Sequence, residues 1–418
     1  MLLPLMLAAA VSVTPPQAIV QEPGSNLTVY LVTIGQGHDV YERYGHNQIW
    51  IHDPDRGTDF AYNWGVFDFG TSVAGFVWRF TKGDLRYKLA VYPEDATLEH
   101  YKENNRTVWA QELYLTPAQK RELQRFVEWN ALPENMVYSY DYYRDNCSTR
   151  ARDALDRALG GALKRALLGK PGGLNYRQQT RRLMVGQGFV LAGMNLAMGA
   201  VLDQPIDRWA ETFIPMELQE AIRGVKVNDD NGQPVPLVKS ERVLFQSTRP
   251  EPPEVAANPL PRYLLIGLAI AAVLLMFGSL RAGWAGVAFH IAAGLWTLAV
   301  GLLGTIIALL WAFTDHYVTY DNENVLQANP LSLVLFVALI VLWLGKNRSN
   351  KFVQRTTLVI AGLASLGLFI QVLPGVDQAN GEIIALFLPG HVALAWVLSR
   401  RAADSANLPP AKPLRAAA

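Results

Sequence analysis

From position 263 onward, apolar residues run almost unbroken, interrupted by short polar joints. The stretches 263–280, 331–345, 357–373 and 382–399 each approach the roughly 18–20 apolar residues that cross a bilayer. The stretch 282–313 is longer, 32 residues without Asp, Glu, Lys or Arg. At about 1.5 Å per residue it is too long for one straight crossing and too short for two, which predicts one long, tilted or kinked helix. Before position 263 the pattern is different. Short apolar or alternating runs at 27–35, 47–52, 60–67, 85–92 and 108–115 predict strands, with a polar turn at 53–58 joining the second and third. Thr116-Pro117 opens a helix over 116–129, with Thr116 as N-cap and Pro117 at the first helical position. Helical spacing also predicts 146–168, 174–202 and 216–223, and 225–245 reads as a hairpin turning at Asp230-Asn231-Gly232.

Charge divides the chain in the same way. Residues 27–261 hold 27 Lys+Arg and 29 Asp+Glu, whereas only 10 and 6 follow from Arg262 to the end. The joints carry a signal of their own. Arg281 fills one, Lys346, Arg348, Lys351 and Arg355 another, and Arg400, Arg401, Lys412 and Arg415 follow the last run, while 314–330 and 374–381 have no Lys or Arg. Basic residues gather on the cytoplasmic side, so the alternation predicts five crossings with a cytoplasmic C-terminus. The domain before position 263 then lies outside the cytoplasm. Residues 1–13 are apolar and uncharged in their side chains, and a polar Pro-containing stretch follows. This predicts a secretory signal peptide or, alternatively, an uncleaved anchor. The expected layout is a leader or anchor with spacer over 1–26, an extracytoplasmic domain over 27–249, a Pro-rich linker over 250–262, a transmembrane domain over 263–400 and a tail over 401–418.

Over the whole chain half the residues are hydrophobic and 17% charged, and the net charge is +1. That balance excludes a nucleic-acid partner. A single cysteine, Cys147, excludes an intrachain disulfide and any multi-cysteine metal site.

Cys147 follows Tyr142-Tyr143-Arg144-Asp145-Asn146 and opens a predicted helix, where N–H groups and the helix dipole favour a thiolate. It is either a nucleophile or a buried structural thiol. A cysteine nucleophile needs a base, and His46, at the head of a strand, has the best setting. Asn63 lies on the next strand, where its amide oxygen would accept the second imidazole N–H. Asp68 is the alternative orienter. Arg150 would add positive potential beside Cys147. The outer joint 314–330 carries His316, Asn322 and Asn324, polar groups at the membrane surface on the side of Cys147. They either bind a lipid head group or form a solvated loop.

A histidine on a strand, a polar residue on the next and a later cysteine at a helix start resemble a circularly permuted papain-like fold, as in lecithin–retinol acyltransferase and NlpC-like proteins. More specifically, Tyr44-Gly45-His46, Tyr62-Asn63-Trp64-Gly65-Val66-Phe67-Asp68-Phe69 and Arg144-Asp145-Asn146-Cys147-Ser148-Thr149-Arg150 resemble the bacterial Lnb-type family. Tyr176-Arg177-Gln178, Pro205-Ile206-Asp207-Arg208, Phe213-Ile214-Pro215 and the joint from Asp315-His316 to Asn329-Pro330-Leu331 are similar as well. The resemblance implies an α+β papain-like extracytoplasmic domain followed by an all-α transmembrane domain in the bacterial inner membrane. It also implies a thiol acyltransferase that moves an acyl chain from phospholipid through Cys147 to a lipoprotein amine, with no cofactor or metal. A cysteine peptidase or amidase acting on cell-wall peptides, and a non-catalytic assembly factor, are the alternatives.

Overall fold

A computed structural model describes residues 22–67, 73–280, 283–345, 350–373 and 378–406. The N-terminal leader, Asp68, the basic positions Arg281, Lys346 and Arg348 and the tail beyond 406 lie outside these residues.

The extracytoplasmic part runs β1 (Thr28–Ile34), β2 (His46–Asp53), β3 (Thr58–Phe67), α1 (Val73–Lys82), β4 (Arg86–Pro93), α2 (Glu94–Glu103), β5 (Val108–Leu113), α3 (Pro117–Asn130), β6 (Val137–Ser139) and α4 (Cys147–Ala158). It continues through α5 (Ala162–Leu167), α6 (Tyr176–Leu183), α7 (Gly188–Ala197), α8 (Arg208–Glu211), α9 (Pro215–Arg223), β7 (Lys226–Asn228), β8 (Pro234–Pro236) and β9 (Val238–Phe245). Seven strands form one antiparallel sheet in the order β6-β4-β3-β2-β1-β5-β9. The period-two alternation of the strands gives the sheet two apolar faces. Val29, Leu31, Ile49, Tyr62 and Trp64 pack one face against α3, α4 and α9. Val32, Ile34, Val108 and Ala110 pack the other against Leu98 and Tyr101 of α2.

Three expectations are corrected here. The helix expected over 146–168 divides into α4 and α5 because Gly160 and Gly161 both take left-handed φ, +60° and +81°, which ends a helix at little cost. The helix expected over 174–202 divides into α6 and α7 around Gly186, at φ +91°. The hairpin expected over 225–245 is short: β7 pairs with β8, and β9 leaves it to line the edge of the main sheet beside β5. Buried Leu237 makes this switch, accepting from Tyr114 N–H and donating to Val225 O. Helices α1 and α2 were not anticipated. The cap on α3 follows expectation, with Thr116 Oγ1 accepting from Gln119 N–H.

Among the described residues, five helices are long and apolar enough to cross a membrane. They contain α10 (Leu260–Ser279), α11 (Gly283–Phe313), α12 (Leu331–Leu344), α13 (Lys351–Phe369) and α14 (Gly381–Ala406). The run at 282–313 is a single helix, α11, about 46 Å long at the standard rise. Helix α14 packs along both α10 and α13. Gly267 of α10 sits directly on the Ala385 and Leu386 carbonyls of α14, an approach that no side chain permits.

The two parts interlock through polar groups. Arg181 pairs with Glu382 at the start of α14 and donates to Ala379 O at 2.7 Å. The turn after α7 is gripped from the membrane part: Gln378 Nε2 donates to Met198 O at 3.0 Å, and Gly199 N–H to Val318 O at 2.8 Å. Arg177 is fully buried at the same turn. Its guanidinium binds Asp203 Oδ1 at 2.7 Å and the carbonyls of Met198 and Gly199 at 3.1 and 3.0 Å.

Candidate active site

The start of α4 is fixed before any chemistry is considered. Asn146 Oδ1 accepts from the N–H groups of Ser148 and Thr149 at 2.9 and 3.0 Å, and Thr149 Oγ1 accepts from Asn146 N–H at 2.7 Å, a reciprocal cap. Asn146 Nδ2 donates to Phe213 O at 3.0 Å, and Ser148 Oγ to Thr212 O at 2.7 Å. The segment before α9 thus holds the helix end that carries Cys147. In front of it, Asp141 Oδ1 accepts from the N–H groups of Tyr143 and Arg144 and from Tyr317 Oη. The Arg144 guanidinium lies 3.9 Å from the Tyr317 ring centre. Tyr317 belongs to the outer joint of the membrane part, so that joint braces the turn leading to the cysteine.

β2 and β3 bring the other members in. Gly45, at φ +81°, turns the chain into His46 at the head of β2. His46 Nε2 lies 3.1 Å from Asn63 Oδ1. Asn63 Nδ2 donates to Ala61 O at 3.2 Å, which orients its amide oxygen toward the ring. Nε2 therefore carries the proton and Nδ1 is the nitrogen able to accept one. Between Asn63 and Val66 the pairing of β3 with β4 shifts register, and Gly65 takes φ +90° there. The bulge carries the Gly65 backbone up to Cys147: a Cβ on Gly65 would meet Cys147 Cβ at 3.3 Å. The thiol rests against the strand head, with the N–H of Asn47 directed at the sulfur along with those of Ser148 and Cys147 itself.

The electrostatics differ from expectation. Burial pushes the Cys147 thiol above its ordinary value despite the N–H groups and the Arg106 charge, which act the other way. Burial, then Arg106, holds the His46 imidazole down at about 4, against the hydrogen bond that Nε2–H donates to Asn63, which favours protonation. Both shifts act against a thiolate–imidazolium pair at rest.

Two residues here were not singled out from the sequence. Arg106 is buried; its Nε donates to Gly35 O at 3.0 Å and its Nη1 pairs with Glu42 at 3.2 Å, so it clamps both ends of the segment entering β2. Among the described residues Tyr138 Oη is buried without a hydrogen-bond partner, 4.0 Å from where a Gly65 Cβ would stand. Cys147 Cβ lies 3.3 Å from that same point.

The structure brings Cys147, His46 and Asn63 together and assigns the remaining expected residues elsewhere. Arg150 pairs in two-pronged fashion with Asp145, and its guanidinium covers the Tyr138 ring at 4.1 Å. Asn322 and Asn324 are fully buried rather than facing a lipid surface. Asn322 Nδ2 donates to the carbonyls of Leu196 and Ala197 at 2.9 Å each, and Asn324 Nδ2 to those of Asn195 and Leu196 at 3.1 and 3.0 Å. The end of a helix leaves carbonyls that need donors, and these amides supply them to α7. His316 is half-buried in the turn packed on Gly83, and its N–H donates to Thr314 Oγ1 at 3.3 Å.

Residues 17–184 match the Lnb N-terminal periplasmic domain and residues 255–403 match the Lnb transmembrane domain. The chain belongs to the Lnb family. Both family domains are present in their order, and the strand head bearing His46, the bulge after Asn63 and the helix start bearing Cys147 all fall within the first. The sheet domain of this Lnb-family chain is therefore periplasmic, and its five apolar helices form the Lnb membrane part. No curated protein and no solved structure matches the chain.

The electrostatics of this Lnb site predict its pH response. A folded value near 4 lies below the ordinary value of about 6.5. Below pH ~6.5 the unfolded chain then binds more protons than the folded one. The His46 contribution to stability is complete above that pH and is lost as the pH falls toward 4. Replacing Arg106 by Met removes a charge that opposes protonation, so the acid limb of the activity profile should move to higher pH. An acid limb unchanged in Arg106→Met, measured as kcat/KM against pH, would remove Arg106 from the electrostatics of the site.

Proposed function

We propose that this Lnb-family protein is a thiol acyltransferase of the bacterial inner membrane, with its C-terminus in the cytoplasm. It would move an acyl chain from a phospholipid to an amine, the N-terminal amine of a lipoprotein being the acceptor that fits best. The observation that carries this reading is the His46–Asn63 hydrogen bond at a strand head against which the only thiol of the chain is packed. Five apolar helices interlock with that site through Tyr317 and the 195–199 turn, which suits lipid substrates and is more than a peptidase tether requires.

In the first half-reaction the Cys147 proton passes to His46 Nδ1 as the sulfur attacks the ester carbonyl. Asn63 keeps the other nitrogen protonated and the ring in place. The C–O bond breaks, the lysophospholipid alkoxide takes the proton from the imidazolium, and a thioester remains on Cys147. In the second, the acceptor amine attacks the thioester carbonyl and gives a proton to His46. The C–S bond breaks, an amide forms and the thiol is restored. Tyr138 Oη, which shares the space over Gly65 with Cys147 Cβ, would donate to the oxyanion in both halves.

The full-length protein incubated with phospholipid and no acceptor should gain one acyl mass, located on the peptide containing Cys147 and removable by hydroxylamine. Turnover of a cell-wall peptide with no acyl adduct under any donor would favour the amidase reading instead.

A further inference from the structure

Helix α7 has its polarity reversed relative to a helix on a water-soluble surface. It contains no charged residue, and its one amide side chain, Asn195, is the fully buried one. Its outward side is apolar: Phe189 is 94% exposed, and Val185 just before the helix is 42% exposed. In water the pattern runs the other way, with apolar residues facing in. A bare phenylalanine needs an apolar medium, and the position of the helix says which.

Both ends of α7 lie at the outer end of the membrane bundle. At its start, a Cβ on Gly188 would stand 3.7 Å from Nη1 of Arg262, in the first turn of α10. At its end, Leu196 is buried in a cluster with Ile383 and Phe387 of α14 and Ile307 of α11, and Tyr263 of α10 packs against that cluster. A ten-residue helix is about 15 Å long. Since both ends meet the first turn of α10, α7 crosses the bundle end instead of running along the bundle axis.

We propose that α7 is an interfacial helix that lies flat in the periplasmic leaflet, with Phe189 among the acyl chains. It is a membrane contact separate from the five crossings and does not depend on the chemistry at Cys147. Its polar end is tied into the protein by Arg177, Asn322 and Asn324, which meet the 195–199 carbonyls. Such a helix fixes the height of the periplasmic domain above the leaflet, since the same turn continues into the cluster of Leu183, Met198, Phe213 and Tyr143 beside the Cys147 turn.

The test uses the full chain with Cys147→Ser, which leaves an introduced cysteine as the only thiol. Phe189→Cys, Val185→Cys and, as a water-exposed control, Asn231→Cys are labelled with an environment-sensitive fluorophore and placed in nanodiscs of phosphatidylethanolamine and phosphatidylglycerol. The 189 and 185 labels should emit at shorter wavelength than the 231 label. Shallow spin-labelled lipid should quench them by twofold or more, and iodide should quench them severalfold less than it does the 231 label. Phe189 is almost wholly exposed, so its replacement leaves the fold intact, and an unchanged thermal unfolding profile will verify this. Equal iodide quenching at all three positions would overturn the proposal. So would insensitivity to spin-labelled lipid at 189 and 185, whether water or a second copy of the protein covers them.

Discussion

On the proposed mechanism, Cys147→Ser and His46→Ala should each lower acyl transfer by roughly 10³-fold or more, and the double variant should be no slower than the worse of the two. The pair acts as a unit: a thiol whose ionisation is opposed by burial is a poor nucleophile until His46 takes its proton. Neither change should disturb the membrane part, because the partners of both side chains, Asn63 for His46 and Asn47 and Ser148 for Cys147, belong to the sheet domain. Asn63→Ala keeps both reacting groups and releases only the ring, and an orienting partner of an imidazole is commonly worth about 10–100-fold. Tyr138→Phe removes one oxyanion donor and should cost about 10²-fold in kcat with little change in KM. Steady-state rates on purified protein in lipid, together with thermal unfolding of each variant, check the series. Additive losses in the Cys147/His46 double variant would show that the two act independently and would sink the mechanism.

Arg177→Met destabilises the protein by about 3–5 kcal/mol, the usual consequence of removing one member of a buried ion pair. Arg177 and Asp203 are both buried, and Asp203 Oδ2 already lacks a partner. Without the guanidinium a whole carboxylate and the Gly199 carbonyl lose their Arg177 donor, and the Met198 carbonyl is left with Gln378 Nε2. Arg223→Ala, which removes an exposed pair with Glu241 and Glu220, should cost no more than about 1 kcal/mol. Denaturant unfolding of both variants in the same detergent measures the contrast. Equal small effects would mean that Asp203 takes up a proton when Arg177 is lost, and a pH dependence of the Arg177→Met unfolding would reveal it.

How far these features were legible depended on whether a signal was local. Alternation placed the five early strands, and the His46–Asn63 hydrogen bond follows from the register of two of them. Thr116-Pro117 and Asn146-Cys147 announced helix starts because caps are written within four residues. The breaks at Gly160-Gly161 and Gly186 were hidden because a glycine inside a periodic run reads alike whether the helix continues or stops. Asn322 and Asn324 were expected at a lipid surface because a polar loop side chain looks the same solvated or buried. Only the carbonyls of residues 195–197, far away in the chain, settle the matter. Arg106 was missed for the same reason, its partners being Gly35 and Glu42. Tyr138 was missed because a hydroxyl left without a partner has no sequence signature.

The grip of the outer joint on the end of α7 joins residues 125 to 129 positions apart. At about 5–20 residues per second, the ribosome needs roughly 6–25 s to make the interval. During that time the newly exported domain has its sheet but not the amides that close the 195–199 turn, and α7 waits beside the translocation machinery with its carbonyls open. Maturation of the thiol site is thereby timed by completion of the second crossing and release of the outer joint that follows it, and a chain stalled before position 324 remains a substrate for periplasmic proteases.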